Sequence, residues 1–136
     1  FIIVDMPPGT GDTQLTFSQE IKMDGAIIVS TPQEVALLDV KRGIKMFDKL
    51  GVKILGLVDN MSFFVGDDGK KYKIFGEGGV KKTAKEFQKE FLGEIPISPE
   101  VGNFGDQGKP IVESNPNHEI SKIYLEFAEK IKSTYL

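Results

Sequence analysis

The sequence has no cysteine and a single histidine, His118. Without thiols the chain forms no disulfide and offers no thiolate nucleophile, and it holds neither a zinc finger nor an iron-sulfur cluster on sulfur ligands of its own. Long apolar runs are missing too. Nothing approaches the ~20 consecutive apolar residues of a membrane span and no segment resembles a signal peptide, so no membrane partner is expected and the expected compartment is the cytoplasm. Charge of one sign is also scarce. Seventeen Lys and Arg against twenty Asp and Glu leave a net charge of −3, too mild and of the wrong sign for a protein that wraps a polyanion, which argues against nucleic acid. What remains is ordinary for a folded domain. With 136 residues, 40% of them apolar and 27% charged, the chain has enough for one domain with a buried core.

Short apolar runs recur along the chain, at Phe1 to Asp5, Ala26 to Ser30, Val52 to Val58 and Phe91 to Ile95, with helical patterns between them. This alternation predicts βαβ units and an α/β fold, a parallel sheet flanked by helices. The chain opens directly in the first of these runs, with no initiator Met. An apolar run of that kind belongs to a buried parallel strand, so the expectation is that residues 1–136 are the C-terminal portion of a single longer domain, incomplete at its N-terminus. The best-specified helix follows Thr31-Pro32-Gln33-Glu34, which offers an N-cap, a Pro at the first helical position and a capping-box Glu. Ala36, Val40, Ile44 and Phe47 then share one face, and Gly51 stands where a left-handed C-terminal cap belongs. Val80, Ala84, Phe87 and Phe91 repeat the rhythm, although Phe91 also suits the following strand. Ile120, Ile123, Tyr124, Phe127 and Ile131 mark a last helix over Glu119 to Ser133 that packs on the domain. Two stretches do not read as regular structure. Gly66-Asp67-Asp68-Gly69 predicts a hairpin or flap within residues 61–79, and Ser98-Pro99-Glu100 starts a short helix within residues 96–116.

Chemistry concentrates at Asp5-Met6-Pro7-Pro8-Gly9-Thr10-Gly11-Asp12. A carboxylate at the C-terminal end of an apolar strand lies where open α/β sheets bind ligands, and it can hold Mg²⁺ through water. Gly9 lets a backbone N–H approach a phosphate with no side chain in the way. Spacing alone is served equally well by a strand-terminating Asp and an ordinary turn.

That block, with Gln14-Leu15-Thr16, is followed by Ser30-Thr31-Pro32-Gln33-Glu34-Val35-Ala36-Leu37-Leu38-Asp39-Val40-Lys41-Arg42-Gly43, by Asn60-Met61-Ser62-Phe63-Phe64 and by Ile74-Phe75-Gly76-Glu77-Gly78-Gly79. Together, in this order and over nearly the whole chain, the four blocks resemble the Mrp/ApbC family, MinD-related P-loop ATPases regarded as iron-sulfur cluster carriers. The resemblance implies a MinD/ParA-like P-loop NTPase fold, ATP and Mg²⁺ as ligands, a homodimer, and iron-sulfur client or assembly proteins as partners. It implies that Asp5 is the Walker B acid, that Gly9 is the switch glycine sensing the terminal phosphate and that Asp12 ends the same motif. Asn60 matches the residue that reads the adenine edge, a task suited to an amide with one donor and one acceptor side. Pro96 and Ile97 match the segment near the base, although Ile97 is equally suited to the core.

Two features depart from the family pattern. The glycine-rich, Lys-bearing loop that cradles phosphates would lie upstream of Phe1. Gly76-Glu77-Gly78-Gly79-Val80-Lys81-Lys82-Thr83 is no substitute, because Lys81 stands where a glycine is required and no strand precedes it; a helix start with solvated lysines is expected instead. Many relatives also carry a Cys-x-x-Cys pair after the Asn-Met-Ser block, where this chain has Val65-Gly66-Asp67-Asp68-Gly69. Carboxylates are hard oxygen donors and do not replace thiolates on an iron-sulfur cluster. A nucleotide-gated adaptor that carries no cluster is therefore the alternative expectation. A MinD- or ParA-like positioning ATPase is a third, but the last helix sets Glu119, Glu126 and Glu129 against Lys122, Lys130 and Lys132 and is not basic enough for a membrane anchor.

Overall fold

The computed structural model describes residues 1–7 and 11–135. The elements run α1 (Asp12–Glu20), β1 (Ala26–Ser30), α2 (Glu34–Leu50), β2 (Ile54–Val65), β3 (Lys71–Tyr72), α3 (Gly79–Glu86), β4 (Phe91–Ile97), α4 (Pro99–Asp106), α5 (Ile111–Ser114) and α6 (Glu119–Tyr135). β2 is the spine of the sheet. It pairs in parallel with β1 on one side and with β4 on the other, and its far end pairs antiparallel with β3. The sheet is thus mixed, with a parallel body and an added hairpin.

Two cores hold the layers together. On one face Val40 and Ile44 of α2 and Val80 and Ala84 of α3 pack on Ile54 and Leu57 of β2. On the other, Ile111, Ile120 and Phe127 from α5 and α6 cover Val58, Leu92 and Ile95. Alternation along β2 produces this division, since Leu57 and Val58 are neighbours in sequence and point to opposite faces.

Several expectations hold. α2 ends at Gly51 in the left-handed conformation, with φ 71°. Ser98 caps α4 by accepting the Glu100 N–H at 3.2 Å. Phe91 belongs to β4, and the lysines of α3 face solvent. α6 is also capped from its side chain: His118 Nδ1 accepts the Ile120 N–H at 3.2 Å, and its Nε2 lies 3.1 Å from Glu100.

Other expectations are corrected. Phe1 to Asp5 is not a strand. It pairs with nothing among the described residues, and Ile2 is 91% exposed. A strand is made by its neighbour's ladder, and an apolar run without one has no partner for its N–H and C=O groups. α2 starts at Glu34 with Gln33 at its N-cap position and no side-chain cap, so Thr31 and Pro32 form the approach to the helix and not its first turn. β2 runs on through Asn60, Met61 and Ser62, beyond the expected end at Val58, because the hairpin prolongs it.

Gly93 permits the close approach of α6 to β4. Its φ is 152°, and a Cβ there would lie 2.9 Å from the Phe127 ring. Gly93→Ala is expected to cost on the order of 1–3 kcal/mol through the combined backbone strain and overpacking, measurable as a lower midpoint in urea unfolding at unchanged slope.

Candidate functional site

The carboxyl ends of β1, β2 and β4 converge at Ser30, Asp59, Asn60, Glu94 and Ile95. Ser30 pairs with Asp59, Asp59 with Glu94 and Asn60 with Ile95. Beyond this point the β2–β4 ladder breaks. The next pair is Phe64 with Ile97, which leaves Met61, Ser62 and Phe63 opposite Pro96 alone. Proline has no N–H for a ladder and is at home at such a bulge or on an edge strand. Ser62 repairs part of the break, its hydroxyl donating to the Ile95 carbonyl at 3.1 Å. Met61 absorbs the rest with φ 54°, a left-handed conformation that a non-glycine residue adopts at some cost.

The bulge sets the posture of Asn60. Its side-chain oxygen accepts the Met61 N–H at 3.0 Å, so the amide oxygen is held by the chain's own backbone and the NH₂ group is left to donate. Pro96 is buried and Ile97 half-buried, both on β4 beside the broken ladder. The register thus sets Asn60 beside the β4 segment that carries Pro96 and Ile97.

The other expected site residues are arranged differently. Asp5 is exposed, outside any element. Gly9 lies outside the described residues. Asp12 is the first residue of α1, in the turn where a carboxylate faces the helix's free N–H groups. Gln14, buried in the same helix, donates to the Pro7 carbonyl and so ties the helix back to the segment after Asp5. Among the described residues no group of three or more His, Cys, Asp or Glu side chains is placed to hold a metal. Mg²⁺ needs no such cage, since it keeps several waters and binds through one or two carboxylates plus substrate phosphates. A single exposed carboxylate such as that of Asp5 is the kind of ligand this coordination takes. An iron-sulfur cluster does not fit, as the chain offers no thiolate. The hairpin tip at the Cys-x-x-Cys position is moreover committed to its own turn. Gly66 and Lys70 close it, Gly69 supplies the left-handed residue with φ 75°, and Asp68 accepts the Lys70 N–H at 3.0 Å and the Tyr72 hydroxyl at 2.9 Å. Those two hydrogen bonds hold the Asp68 carboxyl below the usual range, and Asp68 in turn raises the Tyr72 hydroxyl.

One residue of this region escaped the sequence reading. Asp59 is 1% exposed, and its Oδ1 has no hydrogen-bond partner among the described residues. Burial pushes its carboxyl up to about 6, with the Glu94 charge adding to the rise and Lys73 opposing it. The signal was visible as a carboxylate ending the apolar run Ile54-Leu55-Gly56-Leu57-Val58.

Three comparisons bear on this site. The family model described as the ParA family's NUBPL iron-transfer P-loop NTPase matches residues 1–132. An Aquifex aeolicus protein named iron-sulfur cluster carrier protein is 45% identical over 130 residues, covering 95% of this chain and 36% of its own length. An Arabidopsis thaliana protein named iron-sulfur protein required for NADH dehydrogenase, mitochondrial, is 48% identical over 131 residues, covering 96% of this chain and 42% of its own length. The chain thus spans less than half the length of these relatives. Among solved structures, a nucleotide-binding protein in complex with ADP from Archaeoglobus fulgidus superimposes with a TM-score of 0.68 at 40% identity, covering 76% of this chain and 43% of that one. The cell division ATPase MinD of Pyrococcus furiosus shares the fold, with a TM-score of 0.63 at 22% identity over 82% of this chain and 43% of that one.

Folding raises the Asp59 pKa, so the folded chain holds this proton more tightly than the unfolded chain does. The contribution is full below the ordinary carboxylate pKa of about 4 and is lost as pH rises through about 6. Asp59→Asn removes the ionisation. Its stability relative to the unsubstituted chain is expected to grow between pH 4 and 6 and then stay level, by up to about 3 kcal/mol; denaturant unfolding at pH 4, 5, 6 and 7 measures it.

Proposed function

The chain belongs to the ParA-type NUBPL iron-transfer P-loop NTPase family, and from that premise we propose that it forms the magnesium and adenine side of an ATP-hydrolysing switch that serves iron-sulfur cluster delivery. The observation that carries this reading is the broken ladder at Asn60. It presents a side-chain NH₂ at the carboxyl end of the parallel part of the central strand, the kind of place where α/β sheets bind nucleotides. The solved relative at 40% identity is described as a nucleotide-binding protein in complex with ADP.

In this reading Asn60 reads the adenine edge, with Pro96 and Ile97 walling the base. Asp5 holds Mg²⁺ through water, Gly9 senses the terminal phosphate and Asp12 closes the same loop. Mg²⁺ held there would supply positive charge against the negative charge that develops on the phosphate. The phosphate cradle is contributed by residues beyond these 136, in a longer polypeptide whose single P-loop domain this chain completes. Two exposed apolar surfaces support that: Phe1 to Val4, and Ile27 and Val29 of β1, the latter 38% and 58% exposed. The polypeptide acts as a homodimer in the cytoplasm, with iron-sulfur assembly or client proteins as partners. No helix among the described residues is long and apolar enough to cross a membrane.

The cluster is cargo in this scheme, and this chain's residues do not ligate it. A second reading, a nucleotide-gated adaptor that never holds a cluster, is favoured by the absence of cysteine and by the closed turn around Asp68. Reconstituting the longer polypeptide with iron and sulfide separates the two readings. A stable cluster absorbance supports carriage, and its absence supports the adaptor.

The ATPase claim has its own test. The 136-residue chain alone is expected to turn over essentially no ATP, while the longer polypeptide does so and loses about a hundredfold in rate with Asp5→Asn, the scale of removing one charge-stabilising contact. Equal turnover by the chain and the longer polypeptide, or an unaffected Asp5→Asn variant, contradicts the reading.

A further inference from the structure

The outer side of α3 carries a feature that the nucleotide scheme does not use. Lys81, Lys82, Lys85 and Lys89 rim an open groove of about 550 Å³ that is floored by Ala84 and Phe91. Two offset stripes of the sequence produce it. Val80, Thr83 and Ala84 turn inward and are buried, so Lys81, Lys82 and Lys85, at helical spacings of three and four, share the outward face and are exposed. At the end of the helix the Lys89 N–H donates to the Ala84 carbonyl at 2.9 Å. That turn folds the chain back into β4 and brings Lys89 and the half-buried ring of Phe91 alongside.

The positive charge on this face is not neutralised from within the chain. Nearby carboxylates are engaged elsewhere, Glu77 with Lys73 and Glu86 with Lys41. Asp48 takes Lys89 at 2.6 Å. Glu90, the remaining acid of the segment, is exposed and pairs with none of the rim. Among the described residues Lys81, Lys82 and Lys85 therefore take part in no ion pair. Lys81 instead holds its ammonium 5.9 Å from the centre of the Phe91 ring, which keeps the charge at the edge of the groove. Like charges one turn apart, as on Lys81 and Lys85, destabilise a helix. A surface that keeps them unpaired around an apolar floor is complementary to an anion that also carries an apolar group.

The chemistry of the face selects among anions. A helix that binds an anionic bilayer inserts its apolar stripe, and the apolar stripe of α3 is buried in the core under α2 and β2. Nucleic acid is held by many phosphate contacts along a basic surface, whereas this chain carries a net charge of −3 and confines its unpaired lysines here to one short helix. An acidic peptide needs only a few cations and a place for one side chain. We propose that the outer face of α3 is a docking surface for an acidic segment of a partner protein, whose carboxylates meet Lys81, Lys82 and Lys85 and whose apolar side chain lies over Phe91. The exposed ion pairs steer and orient the segment and are weakened by salt. Contact with Phe91 removes apolar surface from water and adds affinity. Phe91 stands at the amino end of β4, whereas Asn60 is paired with Ile95 further along that strand, and the docking surface does not depend on the nucleotide reading.

Amide NMR titration of the 136-residue chain with a synthetic peptide, a leucine flanked on both sides by glutamates, tests the proposal. Shift changes are expected within residues 78–91, and they should weaken as salt is raised. Lys81→Glu combined with Lys85→Glu is expected to reduce affinity about fivefold or more, and a peptide with glutamine in place of glutamate to lose at least as much. Glycine in place of the leucine is expected to cost about threefold or more. Both lysines are exposed, so the double variant keeps its fold, which its unchanged amide spectrum outside residues 78–91 verifies. No response at low salt, a response spread equally over the lysines of α2 and α6, or an affinity unaltered by the double substitution overturns the proposal. A stronger response to a single-stranded oligonucleotide or to phosphatidylglycerol vesicles than to the peptide also overturns it and assigns the face to that anion.

Discussion

Between Asn60 and Phe64 the central strand has three residues where its neighbour β4 has one, and the site follows from how that mismatch is absorbed. A regular ladder would carry β2 and β4 straight past each other and turn Asn60 into one more paired strand residue. The break does otherwise. Met61 takes a left-handed conformation, Ser62 fills the vacated Ile95 carbonyl and Asn60 folds its side chain onto the next peptide. Bulges bend a strand and re-aim its side chains. Here the bend redirects β2 from the parallel body of the sheet into the hairpin with β3, so one irregularity delivers both the amide at the strand ends and the projecting arm beyond it.

The two cores exist to hold that irregularity still. Leu57 and Val58, three and two residues ahead of Asn60, are locked on opposite faces by α2 and α3 on one side and α5 and α6 on the other. With both faces clamped, the strand has no freedom to slip by a residue, which would exchange its faces. Strain at Met61 can therefore persist, because the surroundings over-determine it. Asp59 sits on the last clamped position and has a carboxylate where the alternation calls for an apolar side chain. That is why its proton is held so firmly.

Much of this was legible in the sequence. The βαβ rhythm, the stripe of α2 with Gly51 behind it, the capped start of α4 and the turn at Gly66 to Gly69 rest on local rules, and local rules are written in short segments. What failed was non-local. Phe1 to Asp5 reads as a strand because its composition is right, but pairing depends on a neighbour that composition does not report. The start of α2 moved from Pro32 to Glu34, and Pro32 is instead buried with its carbonyl beside Gly76 and Gly79. The burial of Asp59 depends on helices contributed from far along the chain.

The family resemblance supplied roles that no pattern within the chain would have assigned, and the chain itself has no thiolate. The fold keeps the strand ends and the hairpin but makes the hairpin tip a closed, hydrogen-bonded turn of carboxylates. The central claim is that the break in the ladder exists to present Asn60 to a base. Asn60→Ala in the longer polypeptide tests it most directly, by calorimetric titration with ATP beside thermal unfolding. The account predicts affinity reduced about tenfold or more, with stability lowered by only about 1 kcal/mol for the lost contact to the Met61 N–H. Unaltered ATP affinity would contradict it.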